Sequence, residues 1–314
     1  MATLKFPSNK EAVMLAVVFP KGGVGKTTTT VNLAGALSKQ YPDLRILVVE
    51  TDDRGNAATS FNLDSSTFDA TSYDIFMGNM TPEETVVKAY KNIDIIASNK
   101  DMNYLEFDQL AEYDQRMKDN LWNLLQTEGP KLLEMSREDF NKETTKGINL
   151  DSYYFNILAG KFDNLRKQYD VILFDTPAEL KAVSSSVLSI VDQMLIPIEP
   201  DPFSVDGLSN IVQRVATIRD KYNPKLHIAG VLATKVRART VLHADVTKDL
   251  MRFCMHNNLN YLDTQIPNSI RFASSAGYKG LPATLSGDPK EKFIHNYFQL
   301  ANELISNGSF TSQN

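Results

Sequence analysis

Residues 19–30 read FPKGGVGKTTTT, with Lys21 and Lys26 on either side of three glycines. The apolar run 12–19 precedes this loop and a helical pattern follows it, the setting that a phosphate-binding loop requires. Gly22, Gly23 and Gly25, with Val24 among them, let the backbone curl so that successive N–H groups point inward as an anion nest. A helix starting near Lys26 adds its positive end. In this reading Lys26 reaches the β- and γ-phosphates of a nucleotide, Thr27 offers its hydroxyl to Mg²⁺, and Thr28 bonds an inner phosphate. The alternative is a glycine turn that only packs. Seven specified positions in the right context weigh against it.

Two carboxylate groups are expected beside the loop. DVILFDTP places Asp175 after four apolar residues, where it would hold Mg²⁺ through water or the Thr27 hydroxyl. Its alternative role is to cap a helix at the strand's end. RILVVETDDRGN carries Glu50, Asp52 and Asp53 out of a second strand, at the carboxyl end where α/β sheets place ligands.

These side chains need a sheet to hold them. Candidate strands lie at 12–19, 45–50, 93–97, 170–175, 193–198 and 227–233, several of them near-continuous apolar runs, as in strands covered on both faces. Helical patterns fall at 26–40, 104–127, 151–168, 204–222, 243–256 and 289–306. The alternation predicts an α/β fold, a doubly wound, mostly parallel twisted sheet flanked by helices. It predicts a single domain over 1–314, with 100–155 as a helical elaboration broken at Gly129-Pro130.

Composition sets limits. One cysteine, Cys254, excludes a disulfide framework and any multi-cysteine metal or iron–sulfur site within the chain, and points to a reducing cytoplasm. The four histidines show no metal-ligand spacing. The apolar run 12–19 is too short to span a bilayer and reads as a strand rather than a signal peptide. Net charge is −5, but residues 213–279 hold eleven Lys and Arg against four Asp, a surplus of seven on a chain otherwise at −12. Such a basic segment can bind phosphate backbones or be scattered solvated charge.

The usual phosphate loop has glycine six residues before its lysine; here that residue is Pro20, and Lys21 precedes Gly22-Gly23. This variant resembles that of the ParA/MinD family of P-loop ATPases. The resemblance implies ATP as nucleotide, and a Lys21 that crosses a face-to-face homodimer, formed in the ATP state, to touch the partner's phosphates, as an arginine finger does elsewhere. ParA-like chains carry D-x-D-P-Q-G-N where this one has Glu50-Thr51-Asp52-Asp53-Arg54-Gly55-Asn56. Asp52 matches the aspartate that orients the attacking water, while Glu50 stands in for the first aspartate. Lys21, Lys26 and Asp52 are thus the expected catalytic residues, and Thr27 and Asp175 the metal-holding ones. The resemblance puts the adenine pocket at the Thr234–Lys235 turn and around Pro267.

Further matches, from IDIIASN through LIPIEPDPFSVDGLSNI to IPNSIRFASSAGYKGLP, cover most of the chain outside 100–155. Kinship to ParA-type partition ATPases implies non-specific DNA binding by the dimer, with Arg237, Arg239, Lys248, Arg252, Arg271 and Lys279 as candidate contacts. It implies a ParB-like centromere-binding partner and a nucleoid-associated, cytoplasmic protein. Only about eleven residues precede the first strand, so no operator-binding helix-turn-helix is expected. The C-terminal stretch has no Lys or Arg after Lys292, unlike a MinD-type membrane helix. The competing reading is an ATPase of the same superfamily that positions a protein cargo and binds no DNA.

Overall fold

The computed structural model describes residues 4–144, 150–237 and 241–311. Among them, eight strands form one sheet: β1 (Val13–Val17), β2 (Ile46–Glu50), β3 (Val87–Tyr90), β4 (Ile93–Ile96), β5 (Val171–Asp175), β6 (Gln193–Ile198), β7 (His227–Val236) and β8 (Tyr261–Pro267). Their order is β3-β4-β2-β5-β1-β6-β7-β8, parallel throughout except for β3 against β4.

The central strands are apolar at nearly every position because both faces are covered. Met14, Ala16, Ile172 and Phe174 enter one core; Val13, Leu15, Val17, Val171 and Leu173 enter the other. The helices are α1 (Lys26–Gln40), α2 (Asn56–Ser60), α3 (Ser72–Met77), α4 (Leu105–Glu134), α5 (Arg137–Thr144), α6 (Leu150–Asn156), α7 (Asp163–Gln168), α8 (Ala182–Leu188), α9 (Ser204–Lys221), α10 (Val241–His256), α11 (Arg271–Lys279), α12 (Ala283–Ser286) and α13 (Lys292–Ser306). The first core takes apolar residues from α3, α4 and α6 to α10, Cys254 among them. The second takes them from α1, α2 and α11 to α13. The sheet is thus sandwiched between two helical layers, the doubly wound arrangement expected from the alternation.

Several expected elements differ in detail. β3 and β8 lie at the two sheet edges and have no long apolar run: VKAY is short, and YLDTQIP alternates buried with half-buried or exposed positions. The helical pattern at 151–168 is two helices, α6 and α7. The break near Gly129-Pro130 is a kink, not an end: α4 runs on, with non-helical angles only at Glu128. Among the described residues, no helix is long and apolar enough to cross a membrane.

Candidate nucleotide site

The loop after β1 closes by a tight turn in which Lys21 N–H donates to Phe19 C=O at 2.8 Å. Gly23 and Gly25 take left-handed angles, φ 76° and 92°, where a side chain would be strained. Gly25 caps α1, and the first turn of α1 carries no acidic residue, so its free N–H groups and positive end are left for an anion. Strand ends around the loop are tied together. Thr176 Oγ1 donates to Val17 C=O at 2.9 Å, Thr51 Oγ1 to Asp175 C=O at 2.8 Å, and Thr234 Oγ1 to Val24 C=O at 2.7 Å.

Above the loop lies a cavity of about 370 Å³. Gly22, Gly23, Gly25, Lys26, Thr27 and Thr28 line it, with Asp52 and Lys235. Lys26 is buried and its Nζ donates to Lys21 C=O at 3.0 Å, so the ammonium is folded onto its own loop. Burial pulls its pKa down, against the opposing charges of Asp175 and Asp52.

Asp175 ends β5 fully buried, and neither carboxylate oxygen accepts a well-formed hydrogen bond. Burial pushes it up to about 7, assisted by the charge of Asp52; the hydroxyls of Thr27 and Thr30 and the Lys26 ammonium work in the opposite direction. A buried carboxylate with two unengaged oxygens, beside a threonine hydroxyl and a lysine, fits a divalent cation whose other ligands come from phosphate and water. Asp52 sits between this cavity and a second one of about 410 Å³, which Glu106 and Glu179 also line. Burial raises Asp52 to about 6, as does its contact with Asp53. The same contact holds Asp53 below the usual carboxylate range.

Glu50 faces neither cavity. Fully buried, it accepts hydrogen bonds from Ala57 N–H at 2.6 Å, Ala58 N–H at 3.4 Å and Ser98 N–H at 3.3 Å. It therefore clamps the start of α2, and with it the Asp52–Asn56 turn, to the end of β4. Ser98 Oγ also donates to the Asp52 carbonyl. Burial and the neighbouring Asp175 charge raise Glu50 to about 8.

Lys21 does not line the phosphate cavity. Its side chain is about half exposed (48%), and its ammonium pairs with the Asp201 carboxylate just before α9. Burial works to raise Asp201, but the hydrogen bonds from Lys21 and Phe203 N–H outweigh it and hold the carboxyl low.

Of the residues expected around the base, Lys235 lines the cavity, with a left-handed φ of 52°. Thr234 is buried with its hydroxyl engaged on Val24, and Pro267 pairs with Val236 at the end of β8; neither reaches the cavity wall. Val24 is buried beneath the loop. Sequence reasoning missed Asn56, Thr59, Phe272 and Pro282, which line the cavity from α2, α11 and the turn before α12. Asn56 ends the motif that begins at Glu50, and Phe272 and Pro282 lie in the matched stretch 266–282, but only the fold shows that they reach the cavity.

The candidate DNA contacts are largely paired within the chain. Lys248 bridges Asp245 at 3.3 Å, Arg252 bridges Asp249 at 3.2 Å, and Arg271 bridges Glu291 at 2.7 Å while lying over the Phe293 ring. Arg237 follows β7, with its N–H on His243 Nδ1 at 3.4 Å. Lys279 closes α11, and Arg239 lies outside the described residues.

The family described as the CobQ/CobB/MinD/ParA nucleotide binding domain matches residues 15–282. A ParA family protein of Mycoplasma genitalium is 25% identical over 303 residues, 94% of this chain and 97% of that protein. The chromosome partitioning protein ParA of Caulobacter vibrioides is 26% identical over 296 residues, 93% and 94%. Cobyrinic acid a,c-diamide synthase from Mycobacterium smegmatis, solved with a bound ATP analogue and magnesium, superposes with a TM-score of 0.69 at 19% identity. The match covers 95% of this chain and 96% of that one.

Proposed function

Since the chain belongs to the CobQ/CobB/MinD/ParA nucleotide-binding family, we propose that it is a Mg²⁺-ATP-dependent partition ATPase whose ATP-bound dimer binds DNA without sequence preference. The reaction is hydrolysis of ATP to ADP and phosphate. The loop N–H groups, the start of α1 and Lys26 bind the phosphates, which replace the Lys21 carbonyl as the partner of the Lys26 ammonium. Thr27 and Asp175 would hold Mg²⁺, which would supply charge neutralisation at the phosphates. Asp52 orients the attacking water, and Glu50 positions Asp52 by fixing the turn before α2.

The observation that carries the reading is the separation of the two lysines. Lys26 is buried inside the phosphate cavity, while Lys21, five residues away, points out of it to an exposed ion pair. A cation so placed is available to a triphosphate held by a second protomer. An exposed pair of this kind contributes about 0–1 kcal/mol, so its exchange for a phosphate is cheap. Hydrolysis then separates the protomers, and a ParB-like centromere-binding partner stimulates that step. This cycle segregates a plasmid or chromosome in the nucleoid region of the cytoplasm.

A second reading, an ATPase that positions a protein cargo, is favoured by the in-chain pairing of Lys248, Arg252 and Arg271. A gel shift on unrelated duplex DNA at low salt separates the two. Retention with ATP and none without it supports partition; no retention in either condition supports cargo positioning.

A further inference from the structure

We propose that the outward face of α4 is a docking surface for a second copy of this chain, with the two α4 helices packed antiparallel across a twofold axis. The inward side of α4 is spent on the fold: Leu105 and Gln109 are buried, Tyr153 OH donates to Glu112 at 3.1 Å, and Asn120 Nδ2 donates to Thr144 C=O at 2.9 Å. The outward side carries the helix's largest apolar groups. Tyr104, at the N-cap, is 64% exposed, Phe107 73% and Trp122 63%; Leu110 and Leu125 are exposed with them. Periods of three and four residues put these side chains on one face. A face of this kind, left to water, is what an interaction site looks like.

The pattern of the face selects the occupant. Apolar groups stand at both ends, and between them is an Asp114–Lys118 ion pair. A twofold axis at position 116 sets Phe107 opposite Leu125, Leu110 opposite Trp122 and Asp114 opposite Lys118, each pair occurring twice. Asp114 then stands level with Lys118 of the second copy and about 6 Å along the axis from that copy's Asp114. The surface is thus self-complementary in both shape class and charge, the requirement for an isologous contact. A parallel pairing would put Trp122 on Trp122 but Asp114 on Asp114, like charge on like. This contact needs no nucleotide and is separate from the ATP-driven pairing proposed above. Its area falls at the small end of specific interfaces, below about 1,200 Å² in total, so association in the micromolar range is expected.

Trp122 is the chain's one tryptophan, so intrinsic fluorescence reports this face alone. The test is sedimentation velocity and tryptophan emission of the nucleotide-free full chain between about 1 and 200 µM. A concentration-dependent dimer is expected, with emission shifting to the blue as it forms. Phe107→Lys and Leu125→Glu, which keep Trp122 as the probe, should each weaken association at least about tenfold. The double variant, which sets lysine opposite glutamate twice, should associate more tightly than either single one. ATP binding should be unaltered in all three, which checks folding. A monomer throughout with solvent-exposed emission would overturn the proposal, as would a dimer indifferent to the single variants or a double variant weaker than both. Because no nucleotide is present, the result does not depend on whether Lys21 acts across an interface.

Discussion

Glu50 and Asp175 end neighbouring strands in register, both fully buried; burial, with the Asp175 charge for Glu50 and the Asp52 charge for Asp175, raises the carboxyls to about 8 and about 7. Unfolded, each would titrate near pH 4. The folded chain therefore holds protons that the unfolded chain releases. That contribution to stability is complete below about pH 4 and lost as the pH rises through 7 to 8. Thermal unfolding of nucleotide-free protein should show Tm falling from about pH 5 to pH 8. Asp175→Asn, which needs no proton, should flatten that slope and raise Tm at pH 8. A Tm that rises over this window in the wild type, or a slope unchanged in the variant, would contradict the assignment. Asp52 has a different duty in the proposed mechanism. Asp52→Ala should leave ATP binding within about threefold and lower phosphate release roughly 10²–10⁴-fold, as loss of a water-orienting group does. Equal loss of binding and turnover would place Asp52 in phosphate binding instead. Both aspartates were legible in the sequence because each follows an apolar strand. The clamp made by Glu50 was not, since its partners are backbone N–H groups of α2 and of the turn after β4.

At the scale of elements, the phosphate loop is held by what packs behind it. Gly35 of α1 meets α12 so closely that an added Cβ would stand 2.3 Å from Thr284 Oγ1 and 3.0 Å from Leu285 Cγ. Thr284 cannot swing freely, because it is buried and bonded to Asn32 Oδ1 through both its N–H and its hydroxyl. Gly35→Ala should cost about 1–3 kcal/mol in chemical denaturation. It should also weaken ATP binding, because Pro282, just before α12, lines the cavity. An unchanged denaturation midpoint would show that α12 yields without cost. The central strands and the start of α1 at Lys26 could be read from residue patterns, since burial on both faces leaves long apolar runs and glycines precede a helix start. The edge strands β3 and β8 could not, because one side of each is solvated and their polar residues resemble loop. The far wall of the cavity was harder to read: Phe272 and Pro282 are more than 200 residues from the loop, and the matched stretch that holds them gives no sign that they face it.

At the scale of the molecule, an acidic chain concentrates its basic residues in 213–279, yet Lys248, Arg252 and Arg271 already have carboxylate partners. Exposed pairs of this kind are worth about 0–1 kcal/mol, so phosphate can displace them. Arg271→Ala should then weaken ATP-dependent DNA binding and make the salt slope shallower by about 0.9 for each phosphate that Arg271 neutralises, with ATP binding spared. A slope equal to the wild type's would remove Arg271 from the interface. The account turns on Lys21 serving the nucleotide of the other protomer. Lys21→Ala and Asp52→Ala chains should each be nearly inactive alone. Mixed in equal amounts, they should recover about a quarter of wild-type phosphate release, since half the dimers are mixed and each has one intact site. No recovery on mixing, with dimers demonstrably formed, would mean that Lys21 acts within its own chain and would contradict the scheme.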